Sequence, residues 1–313
     1  MFKFNHFYKF SMNKKIILIC GGSGMIGRAI AQTLNKQDYD IRILTRKKSI
    51  SIPYDQYLWD PYAGSMEKGA LDGVHGVINL AGASIGHKRW TKSVKKELEQ
   101  SRISSTRFLI QQVNLCNNLP KVFISASAIG IYGDRPGEHI DESSTCHATD
   151  FLSSLCVDWE SQLINLRREV RQVIIRIGLT LSLEDGILRE SIKPAKAGLA
   201  TIFGEGDQIY SWIHIKDLVN AFIWILQNDQ ATGIYNASSN EPVNQSTFAK
   251  RLSSRFHTWY LPLHIPLWIM QVVIGEFSRA LYYSQSIRPR RFNDEGFTMH
   301  FNQLDMALND LIK

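Results

Sequence analysis

The fold is decided by the stretch Lys15-Ile-Ile-Leu-Ile-Cys20, Gly21-Gly-Ser-Gly-Met-Ile-Gly27, Arg28-Ala-Ile-Ala-Gln-Thr-Leu34. Its first part is a continuous apolar run rich in β-branched residues, which is typical of a strand buried on both faces. Its last part carries apolar residues at helical spacing. A strand, a glycine turn and a helix in this order predict the first unit of a doubly wound, parallel α/β sheet.

The glycines of this turn predict a dinucleotide site. Gly21 permits a tight turn, Gly24 lets the backbone approach a pyrophosphate, and Gly27 lets the helix pack close to the strand. The N-terminus of the helix then faces the phosphates with free N–H groups and the positive end of its dipole. The alternative is a glycine turn with a structural role alone.

The end of the second predicted strand, Asp40–Thr45, favours NADP over NAD. A site specific for NAD usually has an acid about 20 residues past the glycines, where it holds the ribose 2′-hydroxyl. Here Arg46, Lys47 and Lys48 stand at that position. Arginine offers a bidentate match to a phosphate. The alternative is a solvated run of charges in a loop.

Length and composition agree with an ordinary globular protein. The chain has 313 residues, 44% hydrophobic and 21% charged, which predicts one large domain or two smaller ones. Its net charge of +7 is spread along the sequence, so it suits a phosphate-bearing ligand and does not suggest nucleic acid. No apolar run reaches the roughly 18 residues that span a membrane.

The cysteines and the N-terminus predict a cytoplasmic protein. The four cysteines show neither C-x-x-C pairs nor metal-ligand spacing, so we expect reduced thiols and no metal site. The segment 1–11 has no long apolar region and no small-residue cleavage site. We therefore expect a disordered extension, or a start at Met12, rather than a signal peptide.

Further strands predict where the ligand site lies. The apolar run Val74–Leu80 leads into Ala81 and Gly82, and Lys121–Ser125 leads into a Ser-Ala-Ile-Gly-Ile-Tyr-Gly segment. A charged helical stretch, 91–114, separates them. In a sheet of parallel strands, ligands gather at the carboxyl ends. Helical patterns are also expected at 183–200 and, as a buried or groove-lining helix, at 261–277.

Taken in order, the segments GGSGMIG, NLAG, SASAIGIYG, FLSSLCVDWE, RIG and SWIHIKD resemble the extended short-chain dehydrogenase/reductase superfamily. More narrowly, they resemble its atypical branch, the nucleoside-diphosphate-sugar epimerase-like family. That branch carries a block matched here by Asn79–Ile85, Arg89-Trp90 and Ser101-Arg102. Its small C-terminal domain of unknown function is matched by Leu261-Pro262, Gly275-Glu276, Ser284-Gln285, Pro289 and Gly296-Phe297.

The resemblance covers about Met12 to Leu311 and implies a Rossmann-type domain that binds NADP(H), with a smaller, discontinuous substrate lobe. We expect the Rossmann-type domain at 12–180 and 213–236. The lobe is expected at 181–212 and 237–313, with the family-specific C-terminal domain at about 258–306. The expected cofactor-binding residues are Gly21, Ser23, Gly24, Met25, Ile26, Gly27, Arg46, Lys47, Leu80, Ala81, Gly82 and Ser125.

The resemblance also implies that a catalytic pair is missing. Typical members of the superfamily use Tyr-x-x-x-Lys, in which the lysine lowers the pKa of the tyrosine. Counted back from Glu160, the two positions fall on Leu152 and Cys156. Leucine has no proton to give and cysteine has no fixed positive charge. The replacement is itself a mark of the atypical branch.

Other groups are therefore expected to act as catalytic residues. Ser125, Ser127 and Tyr132 lie at or just after the end of the strand that should face the nicotinamide. The alternatives are strand-end capping for the serines and packing of the loop for the tyrosine. His214 titrates in a useful range, but its position favours a structural role. Cys156 is expected to be a buried thiol rather than a nucleophile.

Anion contacts on the substrate side are open to two interpretations. The basic residues that could hold a phosphate or carboxylate are Lys193, Lys196, Arg288, Arg290 and Arg291. A solvated face is the alternative. The related branch usually has an arginine where this chain has Ser286, so the anion contact is either lost or taken over by Arg288.

Two functions follow from the sequence. The first is an NADP-dependent oxidoreductase or sugar-nucleotide epimerase, acting on a small polar substrate such as a nucleotide-linked sugar or another carbonyl compound. The second is a catalytically inactive NADP(H)-binding regulatory protein, since some members of the branch are associated with cell or plastid division. The sequence leaves a homo-oligomer open.

Overall fold

A computed structural model describes residues 14–86, 88–146, 148–256 and 259–312. The extension expected at 1–11 lies outside these residues. The strands are β1 Ile16–Cys20, β2 Asp40–Thr45, β3 Asp55–Asp60, β4 Ser65–Met66, β5 Val74–Asn79, β6 Val122–Ala128, β7 His139–Ile140, β8 Arg171–Ile177, β9 Leu179–Leu181, β10 Leu199–Phe203, β11 Ile209–Tyr210, β12 Trp212–His214, β13 Gly233–Ala237, β14 Val243–Asn244, β15 Leu261–Ile265 and β16 Ser286–Ile287.

The helices surround these strands. They are α1 Met25–Lys36, α2 Lys92–Glu99, α3 Ser105–Asn114, α4 Phe151–Ser161, α5 Ile187–Lys196, α6 Ile215–Gln227, α7 Gln245–Ser254, α8 Leu267–Ile274, α9 Arg290–Asp294 and α10 Leu304–Leu311. Among the described residues, none of the helices combines the length and apolar character that a membrane crossing needs.

Eight strands form the central sheet in the order β13-β8-β6-β5-β1-β2-β3-β4. Every neighbouring pair is parallel except β3 and β4, which are antiparallel. The chain runs outward from β1 through β2 to β4, and then returns to build β5, β6, β8 and β13 on the other side. This order confirms the predicted doubly wound fold, and its switch point lies between β1 and β5, where such folds bind ligands.

Both faces of the sheet are covered by helices. On one face, Ile19 of β1 packs in a cluster with Ile30 of α1 and Phe222 of α6. On the other face, Leu18 packs in a cluster with Phe108 of α3. Neighbouring residues of β1 therefore point into different layers, as the pleat of a strand requires, and this explains its uninterrupted apolar sequence.

The smaller elements share a core of their own outside the sheet. Trp212 of β12, Phe248 of α7 and Leu304 of α10 are buried together, with Leu188 of α5 beside them. These residues come from the two separate stretches expected for the substrate lobe. The limits of that lobe stay a prediction.

The expected helices at 91–114 and 183–200 are present, but the first is interrupted and the second is shorter than expected. Between α2 and α3, the segment Gln100–Ser104 is a π-helical turn. The second helix is shorter than expected: α5 ends at Lys196, and Leu199–Phe203 forms β10.

The expectation of a buried or groove-lining helix at 261–277 is wrong in its bounds and in its burial. Its first part is the strand β15, which pairs in parallel with β10. Pro262 and Pro266 disfavour a helix in this segment. The helical part, α8, begins at Leu267 and has no buried residue. Trp268 is 66% exposed. Apolar composition alone could not distinguish a buried helix from an exposed one.

Candidate functional site

The glycine turn is pressed against the neighbouring strand end so closely that side chains are excluded. Gly21 has a φ of +76°, and a Cβ at this position would lie 2.6 Å from the carbonyl oxygen of Leu80. A Cβ at Gly27 would lie 2.5 Å from the carbonyl oxygen of Gly21. Gly24 is the N-cap of α1, and no side chain of the described chain caps the helix there. The open first-turn N–H groups fit a pyrophosphate.

The other residues predicted in this turn lie at its outer face. Ser23 is exposed, while Met25 and Ile26 are partly buried at the start of α1. Arg28, one turn further along, donates a hydrogen bond to the carbonyl oxygen of Ser23. Its Nη2 also donates to Glu184 Oε2 at 2.6 Å. Sequence reasoning missed this link between α1 and the segment after β9, since no local spacing relates two residues so far apart.

The basic residues after β2 are all exposed. Lys48 is paired with Glu67, with 3.0 Å between Nζ and Oε1. The turn is fixed by Thr45, whose Oγ1 donates to the carbonyl oxygen of Lys47 at 2.8 Å. Within the part of the chain that the structure describes, no hydrogen bond or ion pair engages the side chains of Arg46 and Lys47. Both cations are thus available to a ligand at the end of β2.

The loop after β5 lies between the glycine turn and a basic side chain. Leu80 donates its N–H to the carbonyl oxygen of Cys20 at 3.0 Å, which extends the contact between β5 and β1. The Ala81 N–H lies 3.3 Å from Asn79 Oδ1. A Cβ at Gly82 would lie 3.1 Å from Arg102 Cζ. The structure therefore brings the predicted residues Leu80, Ala81 and Gly82 next to the glycine turn.

Ser125 lies beside this loop, on the adjacent strand β6. It pairs with Asn79 across the two strands. Its Oγ accepts from Asn79 Nδ2 at 3.4 Å and donates to the carbonyl oxygen of Ala126 at 3.3 Å. Both hydrogen bonds are long, so this hydroxyl is only weakly held.

Ser127 and Tyr132 belong to a buried polar network behind the strand ends. Ser127 Oγ donates to Glu160 Oε1 at 2.6 Å. Arg176 binds both oxygens of the same carboxylate and donates from Nη1 to the Tyr132 hydroxyl at 2.8 Å. That hydroxyl in turn donates to Asn236 Oδ1 at 2.9 Å. Burial raises the pKa of Tyr132 to about 12. This geometry favours capping and packing, and direct catalysis by either residue stays a prediction.

The positions of the missing catalytic pair are apolar and buried. Leu152 lies under the turn after β6, where a Cβ at Gly130 would lie 3.0 Å from Leu152 Cδ2. Cys156 is 2% exposed, and burial raises the pKa of its thiol to about 12. The thiol is neutral at pH 7, which agrees with the expectation of a buried thiol.

His214 makes structural contacts with its neighbours. Its Nδ1 accepts the N–H of Lys216 at 3.0 Å and so caps α6. Its Nε2 lies 3.3 Å from Asp310 Oδ2, and its ring stacks on Phe301 with 3.9 Å between centroids. Burial lowers the pKa of His214.

Two of the expected anion-binding cations are already paired. Arg290 lies 3.4 Å from both Asp141 and Asp294, and Arg291 lies 2.7 Å from Glu295. Arg288 is exposed. Lys193 and Lys196 are exposed on α5, and Lys196 lies over the ring of Phe256.

Two family models match different parts of the chain. Residues 17–238 match the family described as NAD dependent epimerase/dehydratase, and residues 265–311 match a domain of unknown function, DUF1731. The chain belongs to the NAD dependent epimerase/dehydratase family. This confirms the resemblance carried by the motifs, and it places the chain in an NAD(P)-binding family.

Relatives of this epimerase-family chain match it over nearly its whole length. An epimerase family protein of Staphylococcus aureus (strain N315) is 34% identical over 304 residues, which are 96% of this chain and 99% of that protein. The crystal structure of the human epimerase family protein SDR39U1 (isoform 2) with NADPH has a TM-score of 0.87 and 27% identity, covering 95% of this chain and 98% of that one. The nucleoside-diphosphate sugar epimerase of Corynebacterium glutamicum gives a TM-score of 0.77 at 26% identity, covering 96% of this chain and 58% of that one.

The epimerase-family chain also carries a phenol that sequence reasoning missed. Asp150 caps α4 by accepting the N–H groups of Leu152 and Ser153 at 2.8 and 3.0 Å. The hydroxyl of Tyr283 donates to the other oxygen of this carboxylate. Tyr283 packs on the apolar cluster that contains Leu152. Burial and the carboxylate raise its pKa, so the phenol is neutral at pH 7.

Proposed function

We propose that this chain binds NADP(H) and acts as an oxidoreductase or sugar-nucleotide epimerase on a small polar substrate, such as a nucleotide-linked sugar or another carbonyl compound. One observation carries the proposal. The glycine turn closed against Leu80 follows β1, the strand next to β2, and the end of β2 presents Arg46 and Lys47, whose side chains have no hydrogen bond or ion pair among the described residues. The structure of the human relative with NADPH supports the same cofactor.

We assign each part of the cofactor to residues of this chain. The pyrophosphate would lie on the turn Gly21–Gly27 and the open end of α1, because only backbone can approach there. The 2′-phosphate would be held by Arg46 and Lys47, since Arg46 provides a bidentate donor set. The nicotinamide half would lie over the loop 80–82 and Ser125, on the other side of the switch point.

A bound nicotinamide supplies hydride transfer, so the protein's tasks are binding, orientation and movement of one proton. Ser125 is the predicted hydroxyl most easily redirected to a substrate oxygen, because its present hydrogen bonds are long. Ser127 and Tyr132 would each have to break a shorter hydrogen bond to reach a substrate. Tyr283, beside Leu152, is a second source of a proton, and Asp150 would orient its hydroxyl.

Binding and turnover can be measured on one preparation. Fluorescence titration should give submicromolar affinity for NADPH and weaker binding of NADH, because the 2′-phosphate adds contacts. Sugar nucleotides and carbonyl compounds are then screened for cofactor oxidation and for isotope exchange at the substrate carbon. Turnover of any of them supports the enzyme. Equal binding of NADH and NADPH would contradict the 2′-phosphate assignment.

A second candidate function is an NADP(H)-binding regulatory protein without turnover. The burial of Leu152 and Cys156, and the engagement of Ser127 and Tyr132 by protein groups, favour it. This chain would then sense NADP(H), and its role would be linked to cell division, as in some related proteins. Tight NADPH binding with no turnover across the screen supports this function over the first.

The remaining expectations concern binding partners and cellular location. We infer a small-molecule substrate rather than nucleic acid, because the net charge of +7 is modest and spread along the sequence. We also infer a cytoplasmic protein, because Cys20, Cys116, Cys146 and Cys156 are all free thiols. The oligomeric state can be measured by light scattering.

A further inference from the structure

The helix α8 is apolar around its whole circumference, yet it lies at the surface. Its sequence, Leu-Trp-Ile-Met-Gln-Val-Val-Ile, contains one polar residue, and no residue of the helix is buried. Trp268, Val272 and Val273 are 66%, 67% and 66% exposed. A helix that is apolar all round is normally buried in a large core or in lipid. The described chain does not provide that cover for α8.

The exposed apolar side chains continue into the segment before α8. The strand β15 leads into α8 through Pro266, and its first four residues are exposed. Together with the three residues of α8, the exposed large side chains here are Trp259, Tyr260, Leu261 and Leu263. We call the segment 259–274 the apolar surface. Contiguous exposed apolar residues of this kind mark an interaction site.

Cations flank the apolar surface, and it contains no acid. From Pro242 to Gly275 the sequence has neither Asp nor Glu. At one end, Lys250 Nζ lies 5.7 Å from the centroid of the Tyr260 ring. At the other end, Arg89 Nη1 donates to the carbonyl oxygen of Val272 at 3.3 Å. Among the described residues, neither cation has an acidic partner. The charge of the surface is therefore complementary to an anionic occupant.

The free edge of β15 is poorly suited to pairing with a strand of another protein. Leu261 donates its N–H to the carbonyl oxygen of Gly198 at 2.8 Å, so its backbone faces β10. Because alternate residues of a parallel strand face the same neighbour, the backbone of Pro262 and His264 faces outward. Pro262 has no N–H to donate. An edge that carries proline resists strand addition.

A second copy of the chain fits the apolar surface less well than a lipid bilayer does. Two copies joined by this surface would bring Lys250 and Arg89 of each copy together without supplying an acid, and like charges repel. A bilayer with anionic headgroups supplies an apolar layer for α8 and phosphates for the cations. Trp and Tyr are also enriched at the boundary between lipid and water.

We propose that the apolar surface docks this chain on an anionic phospholipid bilayer, with α8 lying along the headgroups and its apolar side chains reaching the first acyl carbons. Lys250 and Arg89 contact lipid phosphates at the two ends of the surface. The chain is held on the membrane from one side and does not cross it. This inference goes beyond the proposed function and does not depend on it, because it uses residues outside the predicted cofactor set.

Vesicle sedimentation tests the docking with the full chain. The wild type should bind vesicles of phosphatidylcholine with about 30% phosphatidylglycerol more tightly than vesicles of phosphatidylcholine alone, and added salt should weaken this binding. Trp268→Glu should weaken binding to the anionic vesicles by about tenfold or more. Ile164→Glu is the matched control, because Ile164 is 86% exposed outside the apolar surface, and it should bind as the wild type does.

The cations provide a second comparison at equal net charge. Lys250→Gln with Arg89→Gln should weaken binding to the anionic vesicles by about tenfold. Lys36→Gln with Arg168→Gln removes the same charge from exposed positions elsewhere and should change binding by less than about twofold. Equal effects of the two double variants would show that net charge, and not this surface, attracts the vesicles, which would overturn the inference.

A conservative variant reports the position of α8 in the lipid. Trp268→Phe keeps an apolar ring, so it should bind the anionic vesicles within about twofold of the wild type. With brominated phospholipids in the vesicles, it should lose part of the fluorescence quenching that the wild type shows, because Trp268 itself lies among the lipids. Unchanged quenching would contradict insertion of α8.

Three further results would overturn the inference. Absence of wild-type binding to the anionic vesicles excludes the lipid surface. Equal binding by the wild type and a folded Trp268→Glu protein places the lipid contact elsewhere on the chain. Dimers that light scattering detects in the wild type and not in Trp268→Glu, without vesicle binding, assign the surface to a second copy. Failure to bind NADPH is a separate result, because it overturns the proposed function and leaves the docking as it is.

Discussion

Arg176 binds both oxygens of the Glu160 carboxylate, from Nε at 2.9 Å and from Nη2 at 2.8 Å. The pair joins β8 to α4, and its side chains are 4% and 11% exposed. Ser127 donates a hydrogen bond to Glu160, and Tyr132 accepts one from Arg176. Two residues that the sequence presents as catalytic candidates thus hold the carboxyl end of the sheet together.

This pair predicts a large loss of stability when one partner is removed. Glu160→Gln should lower the free energy of unfolding by about 3–5 kcal/mol, because Arg176 would keep a buried, uncompensated charge. Urea unfolding followed by circular dichroism measures it. Glu169→Gln is the control, since its pair with Arg167 is exposed and screened by water, so its loss of stability should be much smaller. Equal losses in the two variants would contradict the role given to Arg176.

We predict that crowding of an added Cβ against Leu80, more than the strain of a positive φ, prevents substitution at Gly21. Gly21→Ala should abolish NADPH binding, because the new Cβ would collide with the Leu80 carbonyl. Gly64→Ala is the matched control: Gly64 also has a positive φ, +67°, but beyond its chain neighbours no atom of the described residues lies within 4 Å of its added Cβ. It should lose about 1 kcal/mol of stability and bind NADPH normally. Normal binding by Gly21→Ala would show that the cofactor does not lie on this turn.

Two phenols of the site should respond differently to loss of the hydroxyl. Tyr283→Phe should lower kcat by about a hundredfold or more if Tyr283 moves the proton, with little change in NADPH affinity. Tyr132→Phe should instead lower stability by about 1–3 kcal/mol, because it leaves Arg176 Nη1 and Asn236 Oδ1 without the hydroxyl that each contacts. Steady-state kinetics and urea unfolding of both variants measure this. The reverse pattern would assign the proton to Tyr132, as the sequence analysis predicts.

The buried thiol of Cys156 predicts a loss of stability at alkaline pH. Burial raises its pKa from 9.0 to about 12, so above pH 9 the unfolded chain releases a proton that the folded chain keeps. The stabilising contribution is complete below pH 9 and falls by about 1.4 kcal/mol per pH unit as pH rises toward 12. Unfolding measured between pH 8 and 11 should show a shallower decline for Cys156→Ala than for the wild type. Identical slopes would mean that the thiol ionises in the folded protein.

The sequence predicted the parts of the site that are local in the chain. A strand, a glycine turn and a helix are encoded in about twenty consecutive residues, so Gly21, Gly24 and Gly27 could be placed correctly at the end of β1. The absence of lysine at Cys156 could likewise be read from its spacing to Glu160. The central sheet followed from the alternation of strands and helices.

Contacts between distant residues could not be read in this way. Tyr283 and Asp150 are 133 residues apart, and no periodicity relates them. The partner of Ser127, Glu160, lies on α4, so the sequence gave no sign that this hydroxyl at a strand end was already bound. The exposure of α8 was also hidden, because an apolar helix has the same sequence whether it is covered or exposed.

We propose that the exposed cations after β2, Arg46 and Lys47, hold the 2′-phosphate of NADP(H). The most direct test of this proposal is the ratio of the NADH and NADPH dissociation constants in the wild type, in Arg46→Ala and in Lys48→Ala, whose lysine is already paired with Glu67. We predict that the wild type prefers NADPH. Arg46→Ala should lose most of this preference, because it binds NADPH about tenfold or more weakly while its NADH affinity stays the same. Lys48→Ala should retain the preference. A ratio unchanged by Arg46→Ala, or a wild type that binds both dinucleotides equally, would contradict the proposal.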